Sequence, residues 1–395
     1  MNVLILATKY PMPDESPWLT SELGDELLNL GCTLTVVSVE WGSENSRNYS
    51  NCEGSKRINR KKPVCTNGRG LLLLMRWLFS SLKFFSFFFN AIKKREKYDL
   101  VISFSPCLAM WFPVFISKYI SNYRHVIYWD FFPIHNEQIS NKVPKLLSSI
   151  LKNTERYLLS TFDRVSCMSP ANLKFYEKYF GKIPKERDIL PIWTSHLESV
   201  LNYSDAVDDN DDSVKLVFGG QLVAGRGIDE ILNAVKIAIR KNPKIKLLVC
   251  GSGELAENVI GFSNQYPDNC RYLGQLDREH YLQVLASSDI GIVATVAHVS
   301  CPTFPSKSLD YMASSIPVVA SLEASSDFSI ILEKNSFGLS SIAGEVNHLA
   351  DNILTLADNK KLRTQFGING NNYLKKNHSV SKIALNILER VNVQK

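Results

Sequence analysis

Apolar residues in this chain come in short continuous runs separated by amphipathic stretches, and the alternation starts twice. Val3 to Ala7 are all apolar, the pattern of a parallel strand covered on both faces. A loop from Lys9 to Pro17 with three prolines follows. The spacing then predicts a helix from about Trp18 to Leu30, terminated at Gly31. Thr33 to Val39, β-branched and apolar, read as a second strand. This βαβ opening predicts a Rossmann-like domain. Further strands are expected at Leu100–Ser103, Val126–Tyr128 and Arg164–Met168, with a last N-terminal element at Asp188–Pro191. The pattern restarts with a strand at Lys215–Phe218, a helix at Ile228–Arg240 and a strand at Lys246–Cys250. A helix at Leu276–Ser287, a strand at Ile290–Ala294, a helix at Ser306–Ser314 and a strand at Pro317–Ala320 complete it. No repeat at a solenoid period is present.

Between the two patterns lies SDAVDDNDDS (204–213), acidic and without apolar periodicity, which reads as an exposed linker or loop. The expected organisation is an N-terminal Rossmann-like domain over 1–195, a linker over 196–213, a second Rossmann-like domain over 214–378 and a C-terminal helix over 379–395. A crossing of that helix back to the N-terminal domain is one option. The length of 395 residues fits two domains. Two such domains facing each other leave a cleft, a usual place for a ligand.

The net charge of +6 belongs to the first half. Residues 1–200 hold 26 Lys and Arg against 18 Asp and Glu, and residues 201–395 hold 19 against 21. A basic half can face nucleic acid, an anionic membrane or a phosphorylated ligand, or serve only solubility. No nucleic-acid motif accompanies it, which argues against that partner. The eight cysteines form no C-x-x-C pair and no zinc spacing, so reduced thiols in a cytoplasmic protein are expected and a metal site is not. The first residues, MNVLILATKYP, read as a buried strand rather than a secretion signal.

Leu71 to Ile92 are dense in Leu and Phe, but Arg76 and Lys83 exclude a transmembrane helix. Arg69, Arg76, Lys83 and Asn90 are spaced by seven and would form one polar stripe on a helix. Two readings stay open: an in-plane helix at an anionic membrane, helped by the basic run from Lys56 to Lys62, or a mostly buried helix.

Candidate chemistry gathers in the second half. Gly219 and Gly220 leave a strand and permit close approach of a ligand to the backbone. Arg226 precedes a helix whose N-terminal amides favour an anion, and its planar fork suits phosphate oxygens. Downstream, Thr303-Phe304-Pro305-Ser306-Lys307 leads into a helix with Ser306 at its cap position. Lys307 adds charge, and Asp310, one turn on, could accept bonds from two ribose hydroxyls. The bland alternatives are a glycine turn with a surface Arg, a simple cap and an ordinary helix Asp.

Taken in order, these elements resemble glycosyltransferase family four, a retaining family of the GT-B fold. The first motif reads Gly220-Gln221-Leu222, then Arg226-Gly227-Ile228-Asp229, and the G-x-G turn is Gly251-Ser252-Gly253. Tyr272-Leu273-Gly274, Ala286-Ser287-Ser288-Asp289, Asp310-Tyr311-Met312-Ala313 and Pro317-Val318-Val319-Ala320-Ser321 follow in the family's order. In the first half, Thr154 to Pro170 (TERYLLSTFDRVSCMSP) is similar to an E-R…D-R-V…S-P stretch, and Leu190 to Thr194 to the strand before the interdomain crossing. Tyr128 to Pro133 (YWDFFP) resembles a segment of a bacterial surface-polysaccharide branch. Three positions depart. The family Arg is Gln221, the family Lys is Arg226, and the first Glu of the E-x7-E region falls on Pro302.

The resemblance implies an α/β protein of GT-B fold, two Rossmann-like domains facing across a cleft. It implies transfer of a sugar from a nucleotide diphosphate sugar, without a metal or other cofactor, to a saccharide or lipid-linked saccharide, with peripheral contact at an anionic membrane an option. Arg226 and Lys307 would neutralise the leaving diphosphate, and Ser306 would add a hydrogen bond. Asp130, beyond the strand ending at Tyr128, would orient the acceptor or assist its deprotonation, with His135 second. Gly219, Gly220, Gln221, Gly251, Gly253, Thr303, Phe304 and Asp310 would line the donor site. The competing readings are a nucleotide-sugar epimerase of the same fold and a non-catalytic binding subunit.

Overall fold

A computed structural model describes residues 1–12, 15–40, 48–63, 71–140, 144–197 and 212–392. Asp14, Cys65, Arg69 and nearly all of the acidic linker lie outside the described residues. The chain divides into two compact units. The first comprises 1–137, 142–192 and 380–395; the second comprises 138–141 and 193–379.

The first unit opens with β1 (Asn2–Ala7), α1 (Leu19–Asn29) and β2 (Thr33–Val39). A hairpin of β3 (Tyr49–Glu53) and β4 (Lys56–Lys61) follows. Next come α2 (Leu71–Ser80), a 3-10 turn at Ser81–Phe84 and α3 (Phe85–Lys93). After β5 (Tyr98–Phe104), a 3-10 turn at Cys107–Met110 leads into α4 (Trp111–Ser117). Then follow β6 (Ser121–Tyr128), α5 (Ile134–Ser140, counted with the second unit from residue 138 on), α6 (Lys145–Ser160), β7 (Arg164–Cys167), α7 (Pro170–Phe180) and β8 (Glu186–Ile189). The sheet runs β3-β4-β2-β1-β5-β6-β7-β8, parallel throughout except for β3. Val3 to Leu6 are fully buried, as a central parallel strand requires.

The second unit holds β9 (Val214–Gly219), α8 (Ile228–Lys241), β10 (Ile245–Cys250), α9 (Ala256–Gln265) and β11 (Cys270–Gly274). It continues with α10 (Arg278–Ala286), β12 (Ile290–Ala294), α11 (Lys307–Ala313), β13 (Val318–Leu322), α12 (Phe328–Lys334) and β14 (Gly338–Ile342). Helices α13 (Val346–Ala357) and α14 (Lys360–Asn377) close it. Its six strands are all parallel, in the order β11-β10-β9-β12-β13-β14. Helix α15 (Val380–Asn392) belongs to the first unit, where Arg390 pairs with Asp188 of β8.

Two expectations need correction. The basic run Lys56–Lys62 is mostly strand β4, and Arg60 within it is 1% exposed and donates to Glu15 at 2.9 Å. Alternation along a half-buried strand turns one cation of the run inward, where Glu15 and Glu40 compensate it. Residues 71–92 are not one helix with one polar stripe. The hydroxyls of Ser80 and Ser81 bond the carbonyls of Arg76 (2.9 Å) and Leu78 (3.3 Å). Such back-bonding competes with the helix ladder, and the chain tightens to a 3-10 turn there.

One buried carboxylate organises the region after β5. Glu155 of α6 is fully buried and accepts from the amides of Cys107 and Leu108, both at 2.8 Å. Burial outweighs these bonds and pushes its carboxyl up to about 7 from 4.5. A carboxyl with a raised folded-state pKa gives stability that is full below the unfolded value and lost as pH rises through the folded one, here from about 4.5 to 7. The loss is roughly 3 kcal/mol. Glu155→Gln cannot ionise, so its stability deficit against wild type should shrink between pH 5 and pH 8 in thermal or urea unfolding. A deficit of constant size would show that Glu155 does not titrate in that window.

Candidate functional site

The order of the second sheet reverses between β9 and β12, and the carboxyl ends of strands at such a reversal form a crevice. Gly219 and Gly220 occupy that point. The turns beyond β9, β10 and β11 are sewn together by backbone bonds: Gly220 N to Cys250 O (2.9 Å), Leu222 N to Ser252 O (2.9 Å) and Gly251 N to Gly274 O (2.7 Å). The approach is close enough that a Cβ at 251 would overlap the Gly220 carbonyl oxygen, and one at 253 the Leu222 oxygen. Both glycines also have φ near +150° (146° and 152°), a conformation that L side chains avoid. Backbone therefore packs directly on backbone here.

Two tyrosines support the turn. Gly219 N donates to Tyr311 Oη at 3.1 Å, and Tyr311 Oη donates to Ile292 O at 3.3 Å. A Cβ at 219 would overlap the Tyr281 ring. Burial raises the phenol of Tyr281 well above its ordinary value, so it is neutral. Lys307 Nζ lies 4.9 Å from the same ring's centroid, and the Arg278 guanidinium 6.0 Å.

Those two cations share one carboxylate. Arg278 Nη2 donates to Asp310 Oδ1 at 2.8 Å and Lys307 Nζ to Oδ2 at 3.4 Å. Burial alone would raise the Asp310 carboxyl, but Lys307 and Arg278 outweigh it and hold it below the usual range. Two cations on one carboxylate leave net positive charge beside the glycine turn. Arg226 follows the glycine turn in sequence; it is exposed, and among the described residues no carboxylate pairs with it. It precedes Gly227, the left-handed N-cap of α8 (φ 59°). The first-turn carboxylates of α8 have partners of their own: Asp229 accepts from Asn258 at 2.8 Å, and Glu230 from Gly344 N at 2.8 Å.

The loop before α11 is held from below. Glu323, just past β13, is 1% exposed. It accepts from Thr303 N (2.6 Å), Thr303 Oγ1 (2.8 Å) and Thr295 Oγ1 (2.5 Å). Burial pushes its carboxyl above the ordinary range. Phe304 packs against Phe328 at 4.8 Å. Ser306 sits at the N-cap of α11 but has helical φ/ψ (−56°, −26°) and makes no capping bond, which corrects the cap expected there. Its backbone has already turned into the helix, so its side chain does not reach the free amides.

Gly219, Gly220, Gln221, Arg226, Gly251, Gly253, Thr303, Phe304, Ser306, Lys307 and Asp310 thus belong to one unit, and Asp130 and His135 to the other. The amides of Trp129 and Asp130 both donate to Ser105 Oγ, at 2.7 and 2.9 Å, which fixes the turn after β6. His135 N donates to Phe131 O at the start of α5. The sequence reading missed Arg278 and Glu323. Arg278 has no motif around it; only the predicted helix start near 276 hinted at its place. Glu323 stands two residues past the P-V-V-A-S strand, a spacing that could have drawn attention. Among the described residues no three His, Cys, Asp or Glu side chains gather as a metal would require.

Residues 202–373 match the family model described as glycosyl transferases group 1. Over 171 residues the chain is 29% identical to an uncharacterized glycosyltransferase of Methanocaldococcus jannaschii, a match that covers 43% of this chain and 42% of that protein. Solved structures cover nearly the whole chain at low identity. Sucrose-phosphate synthase from Thermosynechococcus elongatus superposes with a TM-score of 0.77 at 18% identity, covering 100% of this chain and 99% of its own. Anabaena HepE in complex with UDP gives 0.69 at 15% identity, with 100% of both chains covered. WaaG, a glycosyltransferase involved in lipopolysaccharide biosynthesis, gives 0.64 at 12% identity, with 99% of both covered. The chain accordingly has the GT-B fold, and its residues 202–373 match the glycosyl transferases group 1 model.

Proposed function

We propose that this chain is a retaining, metal-independent glycosyltransferase of hexosyltransferase type. It takes a nucleotide diphosphate sugar as donor and a saccharide on a lipid carrier as acceptor, in bacterial surface-polysaccharide synthesis. The observation that carries the donor assignment is the cation set at the switch point. Lys307 and Arg278 share Asp310 beside the Tyr281 ring that supports Gly219, and Arg226 follows the same glycine turn in sequence.

Diphosphate departure needs positive charge where the negative charge develops. Arg226 and Lys307 supply it. Arg278 takes the place of the cation lost at Gln221, with its fork already oriented by Asp310. Asp310 accepts from the ribose hydroxyls through lone pairs that its two cations leave open. Glu323 fixes Thr303 and so the loop that carries Ser306. The departing phosphate accepts the acceptor's proton, and Asp130 orients the acceptor, with His135 the second candidate. The UDP bound by Anabaena HepE makes UDP the first nucleotide to test, and the role of WaaG in lipopolysaccharide synthesis favours a surface-polysaccharide setting. No helix of the described residues is long and apolar enough to cross a membrane, so a lipid-linked acceptor calls for peripheral contact at the cytoplasmic face.

The test is a thermal-shift titration with UDP, GDP, dTDP and ADP, each with and without EDTA. At 100 times its dissociation constant a ligand adds about 2.7 kcal/mol, so one nucleotide should raise Tm, and EDTA should leave the shift intact. No shift with any of them would favour the non-catalytic reading. In the same assay Arg226→Ala should weaken the responding nucleotide roughly 10- to 100-fold, the worth of one charge-assisted contact, without lowering the ligand-free Tm. Asp310→Asn should instead lower that Tm, because Arg278 and Lys307 lose their shared partner. Equal affinity in Arg226→Ala would remove this residue from the donor site.

A further inference from the structure

Asp130 stands on a turn that a second turn holds in place. The amides of Trp129 and Asp130 both donate to Ser105 Oγ, at 2.7 and 2.9 Å. Ser105 is 5% exposed, and its own amide donates to Ile127 O of β6 at 3.1 Å. The Trp129 ring lies 4.8 Å from that of Phe104 at the end of β5. Just beyond Ser105 in the chain are the two amides that Glu155 accepts, those of Cys107 and Leu108, both at 2.8 Å. The path from α6 to Asp130 thus runs through one buried carboxyl, a short stretch of backbone and one hydroxyl.

Among the described residues no cation pairs with Glu155. The groups that face it are the Cys107 thiol of the turn, the Tyr128 phenol of β6 and the Tyr176 phenol of α7. Arg124 of β6 faces Cys107 and spends its guanidinium on the carbonyls of Thr161 and Val114. Burial raises both phenols above their ordinary range and the Glu155 charge adds to it, so both are neutral. Their rings are 5.2 Å apart, and their hydroxyls, fully buried, make no hydrogen bond among the described residues. Such groups are rare and call for a partner. An ionised Glu155 offers each amide a charged acceptor, and charge-assisted bonds are about twice as strong as neutral ones. A protonated Glu155 carries a hydrogen on one oxygen, which loosens the amide bonded there and donates to an idle phenol. The grip on the turn therefore changes with one proton, and burial brings that change to about pH 7.

We infer that Glu155 and Ser105 are positioning residues for Asp130: the proton on Glu155 sets, through the Ser105 hydroxyl, where the Trp129–Asp130 turn stands. With Glu155 ionised, both amides are held and Ser105 is fixed under Trp129 and Asp130. With Glu155 protonated, the turn slackens and Asp130 shifts. Asp130 is then placed for an acceptor above neutral pH and displaced below it. That consequence rests on the reading of Asp130 as the acceptor residue, whereas the coupling from Glu155 to the turn does not.

The experiment uses the full chain with neither donor nor acceptor. Trp129 emission is isolated as the difference between wild type and Trp129→Phe and followed from pH 5 to pH 9. It should change in one step with a midpoint near 7. Glu155→Gln keeps one acceptor and one donor but cannot ionise, so it should show no step and resemble wild type at pH 5. Ser105→Ala should abolish the step, while its unfolding stability still falls between pH 5 and pH 8 because Glu155 still titrates. Ser105→Thr, which retains the hydroxyl, should restore the step. If the alanine variant does not fold, hydrogen exchange of the Trp129 and Asp130 amides takes its place, and their protection should rise through pH 7 in wild type but not in Glu155→Gln. No step in wild type, a step that survives Glu155→Gln or Ser105→Ala, or equal protection in wild type and Glu155→Gln at pH 8 would overturn the inference. A clean step in a chain whose sugar transfer is unaffected by Asp130→Asn would sustain the coupling and remove only the acceptor role of Asp130.

Discussion

The close approach of backbone to backbone at the ends of β9, β10 and β11 is the constraint on which the second unit rests. Gly251 lies against the Gly220 carbonyl with no room for a single carbon. Three turns can then be hydrogen-bonded edge to edge at the reversal of the sheet. The tyrosines under Gly219 and the cations around Tyr281 gain their places from this approach, since a side chain at 219 would displace the Tyr281 ring.

Charge placement follows the same economy. The second half of the chain is slightly acidic overall, yet its switch point is positive, because Arg278 and Lys307 converge on a single Asp310. A carboxylate between two cations orients both and leaves an excess of one charge. Such an arrangement has positive potential without the repulsion that two unpaired neighbouring cations would suffer. Glu323 works differently. Buried under Thr303, it uses its lone pairs on the protein itself, and so shapes the loop rather than meeting a ligand.

In the first unit, Glu155 performs the comparable structural task by closing the turn after β5. The basic stretch before it is divided between two roles. Arg60 is buried in ion pairs, whereas Lys61, Lys62 and Lys83 remain near one another beside an apolar surface. A run of like charges in sequence is thus split by strand alternation into a structural cation and an outward-facing group.

The sequence by itself determined the two α/β patterns and most strands, since a central parallel strand must be apolar on both faces and leaves an unambiguous run, as at Val3–Ala7 and Ile290–Ala294. It also determined the glycine turns, because positive φ and close approach admit no other residue at 251 and 253. The β3–β4 hairpin was not legible, as β3 is polar and exposed at the sheet edge and β4 turns only Ile58 and Arg60 inward among cations. The break within 71–92 was also hidden, since a periodicity of seven does not reveal that Ser80 and Ser81 bond back to the helix carbonyls. Only the tertiary structure decided that Arg278, thirty-two residues from Asp310, shares its carboxylate, and that Glu323 reaches the loop at Thr303. Contacts between distant segments depend on how strands are ordered across the sheet, and neither periodicity nor local spacing carries that information.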